Sequence, residues 1–347
     1  MRISLAYWEE DPLPEVDWDR PRTFAVEGNF LFLGERGIAI RNDTAPNLVR
    51  PFFALNNRSD SALVVAAPGI ANGGVTATAN YGLWGGELNF WKNIYYEYPG
   101  KTIRVDFLAG FRYLDLGEDF SVTSLSNFTA APNGVFVGQS QTVQVPATPP
   151  ATGTTSVTGI VPGSNSLGFN YSQGFAGNQL LINDLFFTRN QFYGGQIGVA
   201  AKFFLETLDL NVAGKVAFGG NAEQLLIDGF QLRSANGTTT MSRGGLLALA
   251  SNIGRSHQGE FSVVPEFDIT ATYVICRHVS LTAGYQFLYW TKVVRPENQI
   301  DRVIDVTQVP NLPVVGVTQA GASRPAVTFH ETDFWAQGLV VGLQFVW

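Results

Sequence analysis

The sequence has one cysteine, Cys276, among 347 residues, so it carries no disulfide framework and no cysteine-based zinc site. Histidine is scarce too. His257, His278 and His330 show no metal-ligand spacing and stand beside no nucleophile motif, and Gly219-Gly220 is not followed by the Lys-Ser/Thr pair of a phosphate loop. These absences point away from an enzyme, and no cofactor or metal is expected. Charge is also low: 15% of residues are charged, against about 25% in an ordinary soluble domain. The net charge is -7 with no basic cluster, so nucleic acid is not an expected partner. No run of 18 consecutive apolar residues occurs, which excludes a helical membrane span. A chain of this kind crosses a bilayer only as a barrel, because lipid leaves no other partner for backbone amides and carbonyls.

Glycine and aromatic residues are abundant, with Gly 37, Phe 26, Tyr 11 and Trp 7, and they fall into alternating patterns. The clearest pattern ends the chain. Trp335, Gln337, Leu339, Val341, Leu343, Phe345 and Trp347 form one face; Ala336, Gly338, Val340, Gly342, Gln344 and Val346 form the other. A period of two with one bulky face and one small or polar face is a strand between two environments, lipid on one side and a lumen on the other. The same reading applies near residues 3–8, 24–32, 84–90, 103–113, 193–203, 208–218, 261–273 and 279–289, which makes about nine strands.

Connections alternate between short and long. Short turns fall near Tyr96 to Lys101, Glu206-Thr207 and Cys276 to His278; long loops are expected at about 38–74, 117–184, 219–259 and 295–331. Within them, 117–184 is of low complexity, and Leu246-Leu247-Ala248-Leu249-Ala250 suits a short helix or hairpin tip. The expectation is an all-β fold over residues 1–347, a single antiparallel transmembrane β-barrel with short periplasmic turns and long extracellular loops, in the bacterial outer membrane. An even-stranded barrel with both termini inside would have about ten strands. The start at Met1-Arg2-Ile3 has too short an apolar run before Glu9-Glu10 to be a signal peptide. A signal peptide and one ascending strand are therefore expected upstream of an internal Met1.

The polar faces place Glu27, Glu87, Arg104, Asp106, Arg112, Lys202, Asp209, Lys215, Glu266 and Asp268 in the lumen. A ring of one sign would select ions, whereas interspersed signs neutralise one another. A charge-paired core is the expected reading. His330-Glu331-Thr332-Asp333 reads as a hydrated strand end rather than an acid/base site on the rim.

Longer motifs add a resemblance. Phe32-Leu33-Gly34-Glu35-Arg36, Arg50-Pro51-Phe52-Phe53, Asn190-Gln191-Phe192-Tyr193-Gly194-Gly195-Gln196, Gly244-Gly245-Leu246-Leu247-Ala248, Val264-Pro265-Glu266 and Thr332-Asp333-Phe334-Trp335-Ala336-Gln337-Gly338 resemble the putative beta-barrel porin-7 family. So does 108–116, Leu-Ala-Gly-Phe-Arg-Tyr-Leu-Asp-Leu. The resemblance spans nearly the whole chain. It implies an outer-membrane barrel of a family found mainly in planctomycete bacteria, and it brings no catalytic or ligand-binding residues. The expected function is that of a structural or low-conductance porin-like protein, with a surface receptor or adhesin using the long loops as the alternative. Expected partners are outer-membrane lipid and the barrel-assembly machinery, the latter through the C-terminal strand ending at Trp347.

Overall fold

A computed structural model describes residues 2–10, 22–56, 58–69, 71–96, 103–128, 137–146, 154–161, 178–205, 207–276, 279–311 and 323–345. The main sheet is an antiparallel meander: β1 (Arg2–Glu10), β2 (Arg22–Asn42), β5 (Ala71–Tyr96), β6 (Ile103–Phe128), β9 (Gln179–Phe204), β10 (Leu208–Ala235), β12 (Gly254–Cys276), β13 (Val279–Val294) and β15 (Glu331–Phe345), each hydrogen-bonded to the next. A short strand, β11 (Thr238–Arg243), folds back on β10. Strands β3 (Leu48–Ala54), β4 (Ser59–Ala66), β7 (Val137–Pro146), β8 (Thr154–Val161) and β14 (Val303–Ile304) make a second sheet in the long connections. No described helix is long and apolar enough to cross a membrane.

Period-two chemistry dictates which side of the meander faces where. On β6 the residues Ile103, Val105, Phe107, Ala109, Phe111 and Tyr113 point outward, while Asp106, Leu108, Arg112 and Leu114 are buried inward. Beyond Tyr113 the outward face changes character, to Asp115, Gly117, Asp119, Ser121 and Thr123. β9 changes at the paired position, since Tyr193 sits opposite Tyr113 and is followed upward by Gln191 and Arg189. Phe30, Trp84, Tyr113 and Tyr193 form an aromatic row across four strands, with ring centroids 6.4, 5.2 and 6.0 Å apart. Ten residues at about 3.4 Å each, tilted by about 45°, rise about 24 Å, the height of an apolar membrane band.

The strands run past that band, and the expected loop boundaries need correction. β2 continues to Asn42, β5 begins at Ala71, β6 ends at Phe128, β9 begins at Gln179, β10 reaches Ala235 and β12 begins at Gly254. Outside the band both faces of the wall carry polar residues at intervals, so apolar-out alternation fades although backbone pairing continues. The 246–250 segment is neither helix nor hairpin tip. It is an inward turn entered through Gly244, whose φ of +110° lies in the region that glycine tolerates. The predicted short turns fall largely at residues 97–102, 206 and 277–278, outside the described residues.

Core side chains occupy the inside of the curl. Leu83, Leu114, Leu116, Phe192, Val264, Leu288, Trp290 and Phe334 form one cluster, with Leu31, Leu33 and Ala336 packed against it. That cluster joins β2 to β15, so the sheet curls until its last strand shares a core with its second. Among the described residues β1 and β15 are unpaired on their outer sides. Both run in the same direction along the meander, and a strand satisfying both edges would run opposite to them.

The outward face of β15 provides a direct check. Leu339 is 82% and Val341 75% exposed, while Gly342 faces inward. Val341→Arg should cost about 2 to 4 kcal/mol in a bilayer, the penalty for a cation near the midplane. Gly342→Ser should cost well under half of that, since a Cβ there meets only Thr282 at 4.0 Å. Urea titration in lipid vesicles reads both, and equal losses would contradict the face assignment.

Candidate functional site: a layered lumen

Four charged residues from four strands meet at mid-lumen. Arg112 of β6 donates to Glu87 of β5 at 2.6 Å and to Glu266 of β12. Lys215 of β10 lies 2.8 Å from Glu266 and 3.1 Å from Glu87. Arg112, Lys215 and Glu266 are buried, Arg112 fully so, and the Glu87 side chain is nearly so. Two cations against two carboxylates leave no net charge, which such burial requires. Polar neighbours extend the set: Gln196 donates to Glu87 at 3.2 Å, Asn89 donates to Glu27 at 3.2 Å, and the Trp91 indole donates to Glu27 at 2.8 Å.

Toward the short-turn end lies a cavity of about 380 Å³, whose wall includes Glu27, Arg104, Asp106, Lys202, Lys215 and Asp268. Arg104 clamps Asp106 with its Nε, at 2.9 and 2.8 Å, and Asn93 donates to the same carboxylate at 2.9 Å. Lys202 pairs with Asp209 at 2.9 Å across the β9–β10 turn. The structure thus brings Glu87, Arg112, Lys215 and Glu266 into one quartet. Glu27, Arg104, Asp106 and Asp268 line the vestibule beneath it with Lys202, and Asp209 sits half-exposed at its lip. Sequence reading passed over Asn89, Trp91 and Gln196, whose inward parity on β5 and β9 was the available signal.

Above the quartet comes the apolar layer, where Trp290 is fully buried with its ring edge-on to Phe192, centroids 6.1 Å apart. Above that lies a second polar layer that the sequence had consigned to loops. Glu118 on β6 receives two bonds from Arg295, at 2.8 and 3.1 Å. Burial pushes the Glu118 carboxyl up, against the pull of Arg295. Glu223 on β10 accepts from Asn221 at 3.1 Å, beside Lys292, Glu260 and Glu331. Lys292 reaches Glu260 at 3.1 Å and Glu331 at 3.9 Å. Burial, then the charges of Glu331 and Glu260, raise the Glu223 pKa to about 7.

The shift at Glu223 makes stability pH-dependent. Its carboxyl ionises near 4.5 when unfolded and near 7 when folded. The fold favours the protonated form, so nothing is lost below pH 4.5, stability declines between 4.5 and 7, and the loss is complete above 7. The total is at most about 3 kcal/mol at 1.36 kcal/mol per pH unit, and less to the extent that water screens the carboxyl. Glu223→Gln should flatten that decline in denaturant midpoints measured from pH 4 to 8. An unchanged slope would show that Glu223 ionises as freely in the fold as out of it.

The uppermost layer lies at the far end, where the inserted segments meet the wall. Asp184 of β9, fully buried, accepts the backbone N–H groups of Leu246, Leu247 and Ala248 at 2.9, 2.8 and 2.7 Å and pairs with Arg50 of β3. Around it Phe52, Leu63, Leu180, Ile182, Leu246, Leu249, Ile304 and Val306 form an apolar core between the wall and the inserted segments.

An antiparallel meander with an apolar outer band, an aromatic row at its edge and a polar lumen defines the class of β-barrel membrane proteins. The family model described as Putative beta barrel porin-7 matches residues 17–146 and 166–347, and the chain belongs to that family. A search of curated proteins finds no match.

Proposed function

We propose that the protein is an outer-membrane β-barrel with a sealed interior, a structural element or a channel of very low conductance rather than an open pore. The observation that carries this reading is the apolar layer above the charged quartet, to which strands from β2 round to β15 contribute. Beneath it the charged quartet is internally neutral, so it neither attracts one ion sign nor needs a hydrated passage. The short turns face the periplasm and the long connections the cell exterior, as the plan of such barrels requires. The protein is not an enzyme on this reading. Its β15 edge would engage the barrel-assembly machinery.

Planar-bilayer recording tests the proposal. Purified, refolded protein should give no steps of the size of large porins. Sustained large steps would overturn the sealed reading. A second reading, a surface receptor, is favoured by one feature: the wall and second sheet extend well beyond the apolar band, a scaffold larger than a plain anchor needs.

A further inference from the structure

Two depressions lie end to end on the outer wall from β1 to β9, separated by Trp84. The first, of about 480 Å³, is apolar and sits within the band, walled by Leu5, Phe30, Leu88 and Phe111 with Gly28 and Gly86 at its floor. The second, of about 620 Å³, begins on the other side of Trp84, beyond the aromatic row, where Gly82 and Gly117 are paired across β5 and β6. Its rim is polar: Glu35, Asn80, Asp119 and Arg189, with Phe187 as a further apolar wall. Asn80 donates to Asp119 at 2.8 Å, and Arg189 is held by Asp115 through two bonds of 3.0 and 2.6 Å.

We propose that this stretch of wall binds one glycolipid, with an acyl chain in the apolar trough and a sugar headgroup in the polar cleft. The inference rests on the membrane reading and adds a specific occupant to it. The trough is continuous with the apolar band, so whatever fills it is a hydrocarbon chain. The cleft begins where the outward face turns polar, at the depth of headgroups. Its carboxylates, Glu35, Asp115 and Asp119, outnumber Arg189, which is already paired with Asp115, so a hydroxyl-rich group that donates to them fits and an anionic phosphate is repelled. Its size exceeds an ammonium group alone. Trp84 and Phe187 offer ring faces against which the apolar side of a sugar packs.

The test uses the full chain, purified in detergent and given three lipids of identical acyl chains: a dihexosyl diacylglycerol, a phosphatidylethanolamine and a phosphatidylglycerol. Native mass spectrometry should show one retained glycolipid, bound about tenfold more tightly than either phospholipid. Gly117→Phe fills the cleft and should remove that preference; Gly28→Leu fills the trough and should weaken all three lipids. Gly214→Leu, outward on β10, is the control and should change nothing. A Cβ at any of these three glycines meets no atom within 4 Å, so the wall itself tolerates the changes. Equal binding of the three lipids, tighter binding of either phospholipid, or equal loss in the Gly214→Leu control would overturn the proposal. Flotation of each variant with liposomes separates the two readings. Protein that floats without lipid preference removes the site alone, and protein that fails to float removes the membrane reading with it.

Discussion

Glu266→Gln should lower the stability of the folded protein by about 3 to 5 kcal/mol, the cost of breaking a buried ion pair from one side. The reason is arithmetic within the quartet. Arg112 and Lys215 both contact Glu266, and with its charge removed they share Glu87 alone. Two cations and one carboxylate then stay buried, and a neutral amide cannot offset the uncompensated charge. Adding Lys215→Met restores charge balance and should recover much of the loss, because a linear apolar chain of similar length fills the same space. Urea midpoints in lipid vesicles, followed by tryptophan fluorescence, measure both variants. An unchanged midpoint together with altered ion selectivity would place the quartet in a hydrated conduit and favour the channel reading.

Asp184→Ala should release the inward turn at 246–250. The substitution strands three backbone N–H donors and leaves the buried Arg50 guanidinium without its carboxylate. The sum of such losses is about 3 to 5 kcal/mol. The whole molecule need not bear it, because a connection can open locally while the paired wall persists. Hydrogen exchange at the Leu246, Leu247 and Ala248 amides should therefore accelerate by about two to three orders of magnitude, a change that local opening worth about 3 to 4 kcal/mol produces at 1.4 kcal/mol per tenfold. The unfolding midpoint of the band should move little. Unaltered exchange at these amides would mean that the apolar cluster of Leu246, Leu249, Ile304 and Val306 holds the turn without Asp184.

Within the apolar band the sequence was readable because lipid and lumen impose opposite chemistry on successive residues. Ile103 to Tyr113 and Tyr193 to Phe203 alternate on that account, and the inward positions found there, Arg112, Lys215 and Glu266 among them, lie inside the curl. Beyond Tyr113 the contrast weakens, and Glu118, Asp184 and Glu223 were hidden in segments read as loops although each lies in a strand and is buried. The motifs that carry the family resemblance turn out to hold the interior together. Arg50 anchors the inserted hairpin, Gly244-Gly245 opens the inward turn, and Glu266 completes the quartet. At Gly245 an added Cβ would lie 2.1 Å from the Asp184 carboxylate, which explains its side-chain-free position.

By itself, then, the sequence determined, within the apolar band, the kind of strand and the face each residue takes, because these depend on neighbours two or four positions away. Partner choice among charges was settled only in three dimensions. Glu87, Arg112, Lys215 and Glu266 are separated by up to 179 residues along the chain yet meet through the order in which β5, β6, β9, β10 and β12 stack and the register of each pair. The same holds for the apolar layers. Whether Trp290 fills a lumen or faces a void depends on how far the sheet curls, a property of strand twist and core volume that no local pattern encodes.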